Sequence, residues 1–229
     1  VLHDSDVGLW VLLGDMQLEM GLGEASTESF QRALRLDPAH RRALFNVGLA
    51  WLRADRADAA SGVLRRLVEL EPADVDARLN FGVAETRGRR WLSALVAFRE
   101  VVAQAPHNGA GWINRGTAAA ILAKNTEADE AYRRALELGP LHAGWWNRAG
   151  WHALSTGRLD LASRRFERAL AISPTMVEPT AGLATVCDRR GRPADGLRML
   201  APLLAQAPDQ PRLAATFAVL ARRLGQPEA

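Results

Sequence analysis

Six prolines recur along the chain at a constant spacing of 34 residues. They stand at Pro38, Pro72, Pro106, Pro140, Pro174 and Pro208. A fixed period of this length is typical of a repeat in which every copy is one helical hairpin. A proline ends a helix because its ring clashes with the preceding turn. The spacing therefore predicts six helix-turn-helix repeats, each ending near a proline.

Alignment of the repeats on these prolines shows further columns of constant residue type. The eighth position is the smallest: Gly14, Gly48, Gly82, Gly116, Gly150 and Ala184. The twenty-fourth is large and apolar: Phe30, Leu64, Phe98, Tyr132, Phe166 and Leu200. A small residue lets two helices approach closely, and a large one fills the space beside the contact. Glycines such as Gly21 and Gly157 are expected to end the first helix of a hairpin in a left-handed conformation.

These columns resemble the tetratricopeptide repeat family. Its W-x2-L-G motif is kept as Trp10, Leu13 and Gly14, and its closing F-x2-A-x4-P as Phe30, Ala33 and Pro38. The resemblance extends over nearly the whole chain. It implies an all-α, right-handed superhelical solenoid, with a concave face formed by the first helices and a convex face formed by the second ones.

The predicted organisation is one elongated array. It consists of a lead-in (1–6), six repeats (7–40, 41–74, 75–108, 109–142, 143–176 and 177–210) and a last segment (211–229) that is either a capping helix or a truncated seventh repeat. In that segment, Leu213, Phe217, Leu220 and Leu224 recur at helical spacing, so the face that they form should pack on the sixth repeat. The alanines Ala214, Ala218 and Ala221 should be exposed, which makes self-association through the C-terminal helix an expectation.

Composition excludes several classes of function. The 29 basic and 26 acidic residues give a net charge of only +3 and form no continuous basic stripe, so nucleic acid is not an expected partner. No run approaches the roughly 18 apolar residues of a membrane helix. Cys187 is a lone cysteine, and no histidine pair has metal-ligand spacing. We therefore expect no catalytic residues, metal or cofactor. The bias towards arginine and alanine suggests a bacterial source, and a cytoplasmic location is favoured.

Asparagine occupies the sixth position of three consecutive repeats, as Asn46, Asn80 and Asn114. Asparagine forms helices poorly, but its carboxamide matches the N–H and C=O of an extended peptide. First helices should lie roughly 10 Å apart, and an extended chain rises about 3.3 Å per residue. One asparagine would then hold the ligand backbone at about every third residue. The row is similar to the asparagine ladder in the repeat superhelices of O-linked N-acetylglucosamine transferases.

The positions beside this asparagine row are mostly apolar. They comprise Phe45, Leu49, Leu79, Val83, Ile113 and Thr117, and in the fifth repeat Asn147, Arg148 and Trp151 continue the expected binding surface. An uncovered apolar trough usually marks a site for a partner. In the alternative interpretation, the three asparagines are solvated or bond along the helix faces.

The sequence thus predicts a non-enzymatic protein-interaction scaffold that binds an extended peptide in its concave groove. Two other functions remain open. The array is alternatively the substrate-presenting arm of a glycosyltransferase or sulfotransferase whose catalytic domain lies outside this sequence, or a self-assembly scaffold. A further expectation concerns Glu85 and Arg115, which are charged residues in otherwise apolar columns of adjacent repeats. They are predicted to form a partly buried ion pair.

Overall fold

The computed structural model describes residues 6–206 and 210–225, and within these ranges every regular element is an α-helix. The helices are α1 (Val7–Glu19), α2 (Gly23–Leu36), α3 (Arg41–Arg53), α4 (Ala57–Leu70), α5 (Val75–Arg87), α6 (Trp91–Gln104), α7 (Gly109–Ile121), α8 (Asn125–Leu138), α9 (Ala143–Ser155), α10 (Leu159–Ile172), α11 (Glu178–Arg189), α12 (Pro193–Gln206) and α13 (Pro211–Arg223). The predicted all-α class, built of helix-turn-helix repeats, is confirmed. Pro208, residues 1–5 of the lead-in and residues 226–229 of the last segment lie outside the described residues.

The chain divides into two compact units, and the division falls within α8. The N-terminal unit is Val1–Ala128 and the C-terminal unit is Asp129–Ala229. In the N-terminal unit, α1 pairs with α2, α3 with α4 and α5 with α6, and each second helix contacts the next first helix. First helices also contact one another, α3 with α5 and α5 with α7. In the C-terminal unit, α9 pairs with α10 and α11 with α12, while α11 contacts both α9 and α13.

Close contact between the two helices of a hairpin explains the glycine column. A Cβ atom added to Gly82 would lie 2.6 Å from Cε1 of Phe98, and one added to Gly48 would lie 2.6 Å from Cγ of Leu64. Real Cβ atoms do not approach other atoms so closely, so the large residue of the second helix occupies the space that a side chain would need. Phe98 and Leu64 are buried. The small eighth residue and the large twenty-fourth residue are therefore the two sides of one contact.

The turn inside each hairpin uses a left-handed residue, but not always glycine. Gly21, Gly157, Gly191 and Gly225 have φ between 68° and 77°. The equivalent residues of three successive hairpins are Asp55 (φ 55°), Arg89 (φ 59°) and Ala123 (φ 56°). The left-handed conformation is thus set by the hairpin geometry, and these three residues adopt it at a steric cost.

Replacing Ala123 by glycine is expected to raise the free energy of unfolding by about 0.5–1 kcal/mol, because glycine adopts a positive φ without the clash that a Cβ atom causes. Urea denaturation of both proteins measures the difference. Ala120→Gly, inside α7, is the matched control and should lower stability by about 1 kcal/mol. A loss of stability in both variants would contradict the proposed strain at Ala123.

The last helix packs more completely than its sequence suggested. Leu213 and Leu220 are buried as expected and Phe217 is half-buried, but Leu224 is exposed because it lies just beyond the end of α13. Ala221 is buried too, and Ala214 and Ala218 are half-buried. The expectation of an exposed alanine face is therefore wrong. The reason is that α13 contacts both α11 and α12, and a Cβ atom added to Gly196 of α12 would lie 2.8 Å from Cδ1 of Leu220. Self-association through this helix stays a prediction.

Candidate functional site

The asparagine row lies entirely in the N-terminal unit. Asn46 is in α3, Asn80 in α5 and Asn114 in α7, at the same position of three helices that contact one another in sequence. All three side chains are partly accessible to solvent. Equivalent positions on helices that contact one another are expected to lie at similar levels, so the three amides are candidates for one binding surface.

Two residues of this surface also bond within their own helices. The Asn80 Nδ2 atom donates to the Asp76 carbonyl oxygen at 2.9 Å, and Thr117 Oγ1 donates to the Ile113 carbonyl oxygen at 2.9 Å. Asn114 also makes an interaction of its own. The bond of Asn80 agrees with the alternative interpretation, in which the asparagines bond along the helix faces instead of holding a ligand. It engages one of two N–H groups, so a carboxamide retains a second N–H and an oxygen acceptor.

The apolar neighbours of the row divide into accessible and buried residues. Those that are partly accessible are Phe45, Leu49, Leu79, Val83 and Thr117. Ile113 is only 2% exposed and belongs to the core of the N-terminal unit. Its predicted place in the lining of the groove is therefore corrected: the fifth position lies at the border of the core-facing side of each helix, and in α7 it falls on the inner side.

The fifth-repeat candidates lie in the C-terminal unit and differ in accessibility. Arg148 is exposed. Asn147 is 8% exposed, and its Oδ1 atom has no hydrogen-bond partner within residues 6–206 and 210–225, so it is not a surface residue as predicted. Trp151 packs edge-on against Phe166, with ring centroids 5.4 Å apart. Its indole therefore contributes to the core of this unit, which limits the surface that it can offer to a partner.

The predicted ion pair between Glu85 and Arg115 is wrong. Glu85 is 1% exposed and accepts hydrogen bonds from Ser61 Oγ at 2.6 Å and Arg90 Nε at 2.8 Å. Arg115 Nε donates instead to Glu127 Oε1 at 2.9 Å. The physical reason is that the eleventh position of α5 faces the preceding second helix, α4, rather than the following first helix. Ser61 and Arg90, at fixed offsets from Glu85, were the sequence signal that could have identified its partners.

Hydrogen bonding sets the charge of these carboxylates. Burial alone would raise the pKa of Glu85, but hydrogen bonds from Ser61, Ser93 and Arg90 together lower it. The hydrogen bond from Arg99 is the main cause that lowers the pKa of Glu127 to about 2, with a further bond from Arg115. Both carboxylates are thus ionised at neutral pH and act as structural anions between helices.

A cleft that the sequence did not indicate lies between α2 and α3. Its volume is about 620 Å³, and Asn46 and Leu49 of the asparagine surface form part of its lining. Trp51 and Arg56 also line it, and the Arg56 guanidinium lies 5.4 Å from the Trp51 ring centroid. The cleft therefore adjoins the candidate site and has both apolar and charged walls.

The C-terminal unit contains a buried histidine in a polar cluster. His152 Nε2 lies 3.1 Å from Asp129 Oδ1, and Arg158 donates two hydrogen bonds to the same carboxylate at 2.8 and 2.6 Å. The Tyr132 and His152 ring centroids are 5.3 Å apart, and Arg165 donates to the Ala149 carbonyl oxygen nearby in sequence. Burial lowers the pKa of His152 below its ordinary value of 6.5, and Arg158 and Arg165 lower it further, whereas Asp129 opposes them.

Because the folded protein holds His152 neutral, acidification should destabilise the C-terminal unit. The unfolded chain binds a proton near pH 6.5, whereas the folded chain resists it, so stability is full above pH 6.5 and falls as the pH drops below it. Free energies of unfolding between pH 7.5 and 5 should decrease for the natural protein and much less for His152→Gln. His107→Gln is the exposed control. Equal slopes for all three proteins would contradict a neutral, buried His152.

Neither a metal site nor a membrane span is found in the part of the chain that the structure describes. No three side chains of His, Cys, Asp or Glu are grouped there as they would be around an ion. None of the described helices is long and apolar enough to span a bilayer.

Comparison with known proteins agrees with this architecture. PilW, a widely conserved type IV pilus biogenesis factor, superposes with a TM-score of 0.79 at 17% identity, over 91% of this chain and 97% of its own. MamA from Desulfovibrio magneticus RS-1 gives a TM-score of 0.69 at 18% identity, over 74% of this chain and 96% of its own. YrrB, a TPR protein with an unusual peptide-binding site, gives a TM-score of 0.68 at 16% identity, over 77% of this chain and 91% of its own. At such identities the likeness concerns the fold.

Curated protein sequences include no significant match to this chain. A profile described as tetratricopeptide repeat matches residues 11–69, 52–109 and 113–177, and a second profile of the same description matches residues 153–221. The first profile alone extends over more than half of the sequence. The chain therefore belongs to the tetratricopeptide repeat family.

Proposed function

We propose that this chain is a non-enzymatic protein-interaction scaffold that binds an extended peptide segment along the asparagine row. The observation that supports the proposal is the contact of α3 with α5 and of α5 with α7, because these helices carry Asn46, Asn80 and Asn114 at equivalent positions. YrrB, a protein of the same fold, has a peptide-binding site, which supports the proposal by analogy. The expected partner is a protein or peptide rather than nucleic acid.

The row is suited to holding a peptide backbone. First helices packed side by side are separated by roughly 10 Å, which is about three residues of an extended strand. Each asparagine would pair with backbone N–H and C=O groups, which every peptide has. The contacts therefore provide affinity with little preference for sequence.

Hydrogen bonds alone give modest affinity. At a net value of about 0.5–1.5 kcal/mol each, three bonds contribute about 1.5–4.5 kcal/mol, which is comparable with the cost of ordering a flexible peptide. Partly accessible apolar side chains beside the row, such as Phe45, Leu79 and Val83, would supply the remainder. The ligand should consequently contain apolar residues.

The test is a titration with peptides that the natural protein selects from a random dodecapeptide library. Changing Asn46, Asn80 and Asn114 together to alanine should weaken the binding of every selected peptide by about 10- to 2000-fold, since about 1.5–4.5 kcal/mol is lost. Asn125→Ala, at an exposed amide outside the row, is the control and should bind normally. Undiminished affinity of the triple variant, with its helical circular dichroism intact, would refute the proposed binding surface.

A further inference from the structure

The cleft between α2 and α3 is best understood by comparison with the next junction of the stack, between α4 and α5. There, a polar network joins the two helices. Ser61 bonds Glu85 at 2.6 Å, and Arg90 bonds both Glu85 at 2.8 Å and Asp58 at 2.6 Å. These side chains bridge the facing sides of α4 and α5. The cleft that remains at this junction, of about 510 Å³, is lined by residues 55–59 and 87–89, which belong to the turns and to the ends of the helices.

The equivalent residues of the junction between α2 and α3 make no such network. In place of Ser61, Glu85, Arg90 and Asp58 stand Thr27, Trp51, Arg56 and Glu24, one period of 34 residues earlier. Thr27 Oγ1 bonds back to the Gly23 carbonyl oxygen of its own helix at 2.8 Å, and Arg56 lies over the Trp51 ring. The indole cannot accept the bonds that a carboxylate accepts. The 620 Å³ cleft is the space left between the hairpins.

The lining of the cleft defines the chemistry that it can accept. Its apolar part is formed by Phe30, Leu49, Ala50 and Trp51. Glu24 and Glu28 are contributed by α2, and Arg53 and Arg56 by α3 and the turn that follows it. Within the described residues Arg53 forms no hydrogen bond or ion pair. The carboxylates on α2 disfavour an acidic side chain inside the cleft, and Arg56 disfavours a basic one. The ligand side chain that best fits the cleft is therefore uncharged and apolar, as its apolar lining also indicates.

The cleft is continuous with the asparagine row along α3. Asn46, Leu49, Ala50 and Arg53 are spaced by three, four and seven residues and therefore share one face of the helix. A peptide whose backbone is bonded to Asn46 thus passes the mouth of the cleft and then reaches Arg53. The unpaired guanidinium favours a carboxylate of the ligand at that point.

We propose that this cleft is a specificity pocket, which accepts one aromatic or long aliphatic side chain of the bound peptide, with an acidic residue next to it paired with Arg53. The proposal rests on the function proposed above and adds to it the class of peptide that is preferred. Backbone contacts to the row hold any extended segment, and the pocket selects among them.

A variant that fills the pocket and leaves the asparagine row unchanged tests the specificity pocket separately from the peptide-binding surface. Ala54 is exposed and lines the cleft, so Ala54→Trp should fill it at little risk to folding. The double change Thr27→Ser with Trp51→Glu fills the cleft in a second way, because it introduces the residue types that bridge α4 and α5 at the next junction. Ala103→Trp, at an exposed position of α6, is the matched control.

The probes are the dodecapeptides selected from the random library, each compared with a copy in which its enriched apolar residue is alanine. The natural protein and Ala103→Trp should prefer the apolar version by about 10- to 100-fold. Ala54→Trp and the double variant should bind both versions alike. Arg53→Ala should reduce affinity about threefold, only for peptides with the acidic residue and less at high salt.

These experiments give different results if the specificity pocket is wrong and if the proposed scaffold function is wrong. Peptides that bind in an asparagine-dependent manner but show no apolar preference, or whose preference survives Ala54→Trp, would overturn the pocket and leave the scaffold function standing. Binding that does not depend on the asparagines, or no selected peptide at all, would overturn both.

Discussion

Replacing Gly82 by alanine is expected to lower the free energy of unfolding by about 2 kcal/mol, although alanine favours helices more than glycine does. The new methyl group would stand 2.6 Å from Cε1 and 2.9 Å from Cζ of Phe98. Phe98 is fully buried in the facing helix, so its ring cannot move aside without displacing other core residues. The midpoint of urea denaturation, followed by circular dichroism, measures the loss.

Two further variants isolate the cause. Gly62 lies on the exposed side of α4 with no atom within 4 Å of an added Cβ, so Gly62→Ala should stabilise by up to about 1 kcal/mol. Phe98→Ala removes the atoms that Gly82→Ala would meet, and the double variant should therefore be less destabilised than the sum of the single ones. If the losses are additive, or if Gly82→Ala does not lower stability, the contact with Phe98 is not the reason for glycine at the eighth position.

Replacing Glu85 by alanine is expected to destabilise the N-terminal unit by about 3 kcal/mol. The change removes the acceptor of Ser61 and Arg90, and the Nη2 atom of Arg90 is already buried without a hydrogen-bond partner within the described residues. Urea denaturation at pH 7 measures the effect. Glu69→Ala, at an exposed position of α4, is the control and should change stability by less than about 0.5 kcal/mol.

The same carboxylate should contribute to acid sensitivity. The pKa of Glu85 is lower in the folded protein than its ordinary value of 4.5. Its stabilisation is therefore complete above pH 4.5 and is lost as the pH falls through the lower folded value. Glu85→Gln should retain part of the bonding to Ser61 and show a flatter dependence on pH in this range. An Ala variant as stable as the natural protein would mean that the network contributes no net stability.

The strongest sequence signals came from positions where one physical demand recurs in every repeat. The eighth and twenty-fourth positions predicted a close helix contact, and the structure shows it between Gly82 and Phe98. The left-handed turn was predicted where it is glycine. Asp55, Arg89 and Ala123 were not predicted, because the hairpin geometry imposes a positive φ even on residues that resist it.

Pairings of individual charged side chains were harder to predict. The columns indicated that Glu85 is buried, but they did not indicate which helix it faces, and its partners lie on α4 and in the following turn. Ile113 and Asn147 show a related limit, because a position at the border of the core is accessible in one repeat and buried in another. The cleft was not predicted, since it depends on where the side chains of Thr27 and Arg56 bond.

The most direct test of the central claim is to observe the asparagine side chains themselves. In a protein labelled with ¹⁵N, the side-chain NH₂ resonances of Asn46, Asn80 and Asn114 are followed while a selected peptide is added. We expect all three to shift with one common dissociation constant, while those of Asn125, outside the row, stay in place. A peptide that binds while the three row amides remain unshifted would contradict the proposed binding surface.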